Sequence, residues 1–110
     1  MQQSWESELQ AAALARLAGN EGRARVCARR AAGMAARDFL ARNRSRPAAG
    51  NAYQSLLALS EFPGLAPDLR TAARHLTLRV TGDFTLPVEA DLIAEARKLC
   101  ETLSKDHDRT

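Results

Sequence analysis

Residues 22–46 constrain the fold of this chain more than any other segment, because they read as one helix with apolar residues on two opposite sides. The segment holds eight arginines (Arg23, Arg25, Arg29, Arg30, Arg37, Arg42, Arg44 and Arg46) against a single acid, Asp38. Small residues fill the gaps: Ala24, Cys27, Ala28, Ala31, Ala32, Met34 and Ala35. At about 100° per residue, Ala24, Ala28, Ala31, Ala35 and Phe39 share one face. Val26, Gly33 and Leu40 lie opposite, at heptad spacing. A surface helix needs one apolar stripe; this one is touched from both sides. Its own bundle could supply both neighbours. The expectation preferred here is a homodimer seam of Val26, Gly33 and Leu40, joined by Leu78 from the off-core face of a later helix. Gly33 costs about 1 kcal/mol against alanine inside a helix, a cost that close approach of another backbone would explain.

The same segment carries +7 in a chain whose formal charge is +3, leaving −4 for the remainder. Such asymmetry points to an acidic partner, nucleic acid or nucleotide first among them. Alanine, leucine and arginine dominate and aromatics are scarce, which favours helix over sheet. With 110 residues there is room for one domain, expected to span 1–110 with a flexible polar tail over 104–110. No apolar run approaches the roughly 20 residues of a membrane span, so no membrane partner is expected. The first residues, Met1 to Glu6, have neither the basic head nor the apolar middle of a signal peptide, and a cytoplasmic location is expected. Cys27 and Cys100 belong to no metal-type or redox spacing and read as small core residues.

Turn and cap signals divide the chain into five helices. The first is expected over 4–18, with Ser4 as cap, Gly19-Asn20 as stop and Trp5, Leu9, Ala12, Ala13 and Leu17 as its stripe. Asn20 caps the second, which runs to about Asn43 before the loop around Pro47 and Gly50. Asn51, with Gln54 three residues on, opens a short third helix that would bury Tyr53, Leu56 and Leu57 and end at Pro63-Gly64. The fourth begins near Pro67, buries Leu69, Ala72, Ala73, Leu76 and Val80, and ends at Gly82. Pro87 admits the fifth, with Leu92, Ala96, Leu99 and Leu103 on one face. Short connections make sequential helices antiparallel, so the predicted fold is all-α, an up-and-down four-helix bundle with an extra short helix.

Arg23, Arg30 and Arg37 recur every seven residues, which sets them about 10 Å apart in one row. Arg42, Arg44 and Arg46 extend the charge toward the loop. Guanidinium groups bind phosphate bidentately, so the row suits a nucleic-acid backbone. No aromatic is interleaved with it for base stacking, and binding would be backbone-led and salt-dependent. The competing reading is a solvated face whose arginines pair with acids on the first and last helices.

Residues 22–40, a small-residue-rich helix after a Gly/Asn turn, and residues 76–103, a helix end, a loop with Phe84 and Pro87, and a last helix carrying Ala96-Arg97, together resemble the HEPN domain (higher eukaryotes and prokaryotes nucleotide-binding). That family's Arg-Tyr-Pro signature is absent, and Arg79, Phe84 and Pro87 are only a stretched echo of it. The resemblance implies a four- to five-helix bundle, homodimeric, linked to nucleotidyltransferase partners, toxin–antitoxin pairs or RNA metabolism. Its ribonuclease members carry an arginine, four to six residues, then a histidine; Arg70 and His75 fit that spacing. His75 would then move a proton on a ribose 2′-OH and Arg70 would steady the phosphate, without metal.

On an ideal helix, however, Arg70 and His75 point about 140° apart. The expectation is therefore a non-catalytic, HEPN-like homodimeric module that binds nucleotide or RNA or serves a nucleotidyltransferase partner. A metal-independent endoribonuclease of toxin type using Arg70 and His75 is the alternative, and a structural module whose arginines meet an acidic protein is another. No metal site and no cofactor is expected; Asp106-His107-Asp108 lacks a fixed scaffold.

Overall fold

A computed structural model describes residues 4–43, 51–78 and 91–108, with side chains through Lys105. These residues form five helices: α1 (Trp5–Leu17), α2 (Glu21–Arg42), α3 (Ala52–Ser60), α4 (Pro67–Leu76) and α5 (Leu92–Asp108). No strand occurs among the described residues, so the all-α class holds.

The helix ends form where local chemistry places them. Ser4 Oγ accepts from Ser7 N at 3.2 Å and caps α1. At the other end Gly19 takes φ +80°, so its N–H reaches Arg16 O at 3.0 Å and Asn20 N–H reaches Ala15 O at 2.8 Å. That pair of bonds satisfies carbonyls the helix would otherwise strand. Asn20 then turns to the next helix, its Oδ1 accepting from Arg23 N at 3.1 Å. Asn51 does the same for α3 through Gln54 N, and Asp91 for α5 through Ile93 N and Ala94 N.

α2 is the axis of the molecule. It packs against α1, α3 and α5, and more briefly against α4; α3–α4 and α4–α5 contacts close the outside. Its buried residues are small (Ala24, Cys27, Ala28, Ala31, Ala32, Gly33, Ala35 and Ala36), so neighbours approach closely from several directions. Leucines from those neighbours, among them Leu9, Leu56, Leu59, Leu76, Leu92, Leu99 and Leu103, supply the volume. Phe39 and Phe62 meet edge to face at 5.0 Å beside them. Cys27 and Cys100 are free thiols buried in the core, as read from the sequence.

Several expectations need correction. The proposed seam of Val26, Gly33 and Leu40 does not form one surface. Leu40 is buried in the chain's own core, and Gly33 faces Ala52 of α3, whose Cα would lie 2.7 Å from a Cβ placed on it. The close approach that justifies this glycine is therefore made within the chain. Val26 stays exposed and Leu78 is half-buried. On α1 the stripe rotates: Ala15 and Glu8 turn inward, while Leu17 is 84% exposed. On α3, Tyr53 and Leu57 are exposed where burial was expected, and Ser55, Leu56, Leu59 and Ser60 face inward. α4 ends at Leu76 and α5 begins at Leu92; Val80, Gly82, Phe84 and Pro87 lie outside the described residues. The residues from Ser104 to Asp108, expected as a frayed tail, continue α5.

Candidate functional site

The arginines differ in what their guanidinium groups touch. One group donates to backbone carbonyls of other elements, for Arg29 and Arg70 at helix ends. Arg29 donates from Nε to Leu76 O at 2.7 Å and from Nη2 to Leu78 O at 3.2 Å, covering the C-terminus of α4. Arg42 donates to Leu103 O at 2.9 Å and so ties α2 to α5. Arg70 donates to Ser60 O at 2.6 Å, Phe62 O at 3.1 Å and Leu65 O at 3.4 Å, binding up the turn between α3 and α4. Cationic donors at a helix C-terminus satisfy orphan carbonyls and oppose the negative end of the dipole.

Arg16 does related work at the other joint. It bonds Glu21 at 2.7 Å and Asp91 at 2.9 Å, linking the starts of α2 and α5 to the end of α1. The Arg16 hydrogen bond holds the Glu21 carboxyl below its ordinary range. Burial pushes Asp91 up, but Arg16 and the first-turn amides of α5 outweigh it and leave the group lowered.

The ribonuclease pair is thus separated in use. Arg70 is committed to backbone carbonyls, and His75 Nδ1 lies 2.7 Å from Glu95 Oε1, bridging α4 to α5. The two side chains do not converge on a shared space within one chain. Among the described residues no cluster of His, Cys, Asp and Glu could hold a metal ion. The side chain of His107 lies outside them.

Outside the carbonyl-bonded group, Arg74 of α4 and Arg97 of α5 are exposed, and the outer face of α2 carries Arg23, Arg30 and Arg37. These last three are exposed, and none has an ion-pair or hydrogen-bond partner among the described residues. Arg44 and Arg46 lie outside those residues, and Arg42 is turned to Leu103, so the described row is shorter than the sequence implied.

Arg30 and Arg37 stand beside the crossing of α2 and α3, where Gly33 meets Ala52. On one side of this crossing a groove of about 180 Å³ is bounded by Arg30, Gly33, Arg37, Asn51, Ala52 and Ser55. On the other side a second groove is bounded by Val26, Arg29, Arg30, Asn51, Ala52 and Tyr53. Both grooves share Arg30 and the first residues of α3, so a cation and the positive end of a helix dipole serve the same space. Tyr53, 38% exposed, stands in the second groove beside Arg30. The sequence reading missed it, because the aromatic comes from a different helix and not from between the arginines. Its position one residue after the start of α3 was the only available signal.

No helix among the described residues is long and apolar enough to cross a membrane. Compared with protein-family models, with curated proteins and with solved structures, the chain matches none of them.

Proposed function

We propose that the chain is a non-catalytic module that binds RNA or nucleotide through the outward arginine row of α2. Arg23, Arg30 and Arg37 contact phosphates, and Tyr53 offers a base a stacking face. The observation that carries this reading is the shared groove at the start of α3, where Arg30, the helix N-terminus and an exposed tyrosine meet. Each is a recurrent element of phosphate and single-strand recognition, and here they adjoin. HEPN-like membership, the four-helix bundle arrangement, the homodimer and a nucleotidyltransferase partner are parts of the proposal that rest on the sequence alone. The proposal places the module in the cytoplasm, also from the sequence. Arg70 and His75, each occupied elsewhere, favour binding over cleavage.

The test is fluorescence anisotropy of a labelled single-stranded RNA over a range of salt concentrations. Replacing Arg23, Arg30 and Arg37 together with alanine is expected to lower the slope of log K against log salt by about 2, near 0.7 per lost phosphate contact. Tyr53→Ala is expected to weaken binding by about 1–3 kcal/mol with the slope unchanged. Binding that ignores salt, or survives the triple substitution, would refute the reading.

A further inference from the structure

The groove between Arg30 and Arg37 has a feature that a surface for a passing phosphodiester backbone does not need. At its inner end is Ser55, only 2% exposed. Hydroxyls inside helices ordinarily bond a carbonyl one turn back, as Ser60 does with Leu57 O at 2.7 Å and Thr71 with Pro67 O at 3.0 Å. Ser55 makes no side-chain hydrogen bond among the described residues. Yet no side-chain nitrogen or oxygen that is sealed from solvent lacks a partner among these residues. The Ser55 hydroxyl is therefore reached from the groove it lines.

The donors around that space come from three sources. Arg30 and Arg37, neither paired among the described residues, stand one at each end of the i, i+7 row across Gly33. The amide of Ala52, which borders the groove, lies in the first turn of α3, where position denies it an intrahelical acceptor. The Ser55 hydroxyl can donate from the inner end. Gly33, lacking a side chain, lets α3 come close enough for its first turn to border the groove.

We infer that this groove takes a terminal phosphate monoester of a nucleotide, entering end-on toward Ser55, with the attached base on Tyr53 in the neighbouring groove. The inference rests on the nucleotide or RNA reading given above and narrows it to one chemical group. A monoester carries about −1.5 to −2 charges at pH 7 and three free oxygens, against one charge and two free oxygens for a diester. Two guanidiniums, a helix N-terminus and a hydroxyl match the first better than the second. The monoester could belong to a free nucleoside monophosphate or to the end of an RNA chain; the chemistry is the same.

The experiment compares one short single-stranded RNA in three forms, with a 5′-phosphate, with a 3′-phosphate and with hydroxyls at both ends, alongside titration with adenosine monophosphate. The full chain is used at a single salt concentration. One phosphorylated form is expected to bind at least about tenfold more tightly than the hydroxyl form, the value of a single charge-assisted contact. Ser55→Ala and Arg37→Ala should each collapse that ratio toward one, with melting temperature as the control for folding. Arg23→Ala, outside the groove, should weaken all three forms and keep the ratio. Equal binding of all forms would overturn the monoester site and leave backbone binding standing. Binding of adenosine monophosphate alone, sensitive to Ser55→Ala, would support the site and refute RNA as its source. No binding by any probe would overturn both.

Discussion

Replacing Gly33 with alanine tests the central packing claim most directly, because two effects of opposite sign compete there. Alanine is the better helix former by about 1 kcal/mol, so in an open position the substitution would stabilise α2. At this position the new Cβ would run into the Cβ of Ala52 and lie 2.7 Å from its Cα and 3.4 Å from its carbonyl oxygen. Carbon atoms sit comfortably at about 3.5–4.0 Å, so the two helices must part by roughly 1 Å, enough to forfeit a quarter to a half of the local dispersion contact. Ala52 offers a Cβ fixed to the backbone, and the backbone itself, and not the end of a flexible side chain, which places the overpacking cost near the top of its usual range, about 3 kcal/mol. The balance is a loss of about 2 kcal/mol, or roughly 8 °C in melting temperature for a domain of this size. Thermal and urea denaturation followed by far-ultraviolet circular dichroism would measure it. Adding Ala52→Gly should recover part of the loss, with a coupling of at least about 0.5 kcal/mol. An unchanged or raised melting temperature for Gly33→Ala would refute the contact. A loss that varied with protein concentration would instead put a second copy of the chain at Gly33.

Arg70→Ala should lower stability by about 2–3 kcal/mol in urea titrations, since the carbonyls of Ser60, Phe62 and Leu65 all lose a charged donor. Arg70→Lys should restore only part, because one ammonium cannot reproduce the fork. Acid should weaken the fold through Glu21 and Asp91. Both carboxyls are lowered in the folded state from ordinary values of 4.5 and 3.8, so their contribution is present above those values and fades as pH falls through and below them. Melting temperature should therefore fall as the medium is taken below pH 4.5, and Arg16→Gln should flatten that fall. Burial, helped by Glu6 and Glu101, pushes the Cys100 thiol up to about 12, so at pH 8 it should resist a thiol reagent until the chain unfolds. Fast modification of Cys100 in the native protein, located by mass spectrometry, would contradict its burial.

The sequence by itself determined what depends on neighbours within about one helical turn. Ser4, Asn20 and Asn51 were legible as caps because each bonds an amide three residues on, and Gly19 as a stop because the left-handed region lets the chain turn so that its own amide and that of Asn20 bond back to the helix. The inward faces of α4 and α5 were legible as well, with Leu69, Ala72, Ala73 and Leu76 on one and Leu92, Ala96, Leu99 and Leu103 on the other. Tertiary structure decided what lies across helices. Both stripes of α2 were visible, but whether Gly33 met a second chain or its own α3 depended on where the α2–α3 crossing falls. The charge of Arg29, Arg42 and Arg70 was visible too, yet a long side chain with five donors reaches carbonyls far along the chain, and no local pattern marks that end point. Tyr53 departs from its expected burial for the same reason. α3 is short, its apolar and polar residues fit more than one rotation, and the close approach of Ala52 to Gly33 fixes the rotation that turns Tyr53 outward beside Arg30 and Ser55 inward. Local propensity sets where a helix starts and stops. The angle at which two helices cross is set by the small residues between them, and that angle determines which side chains share a groove.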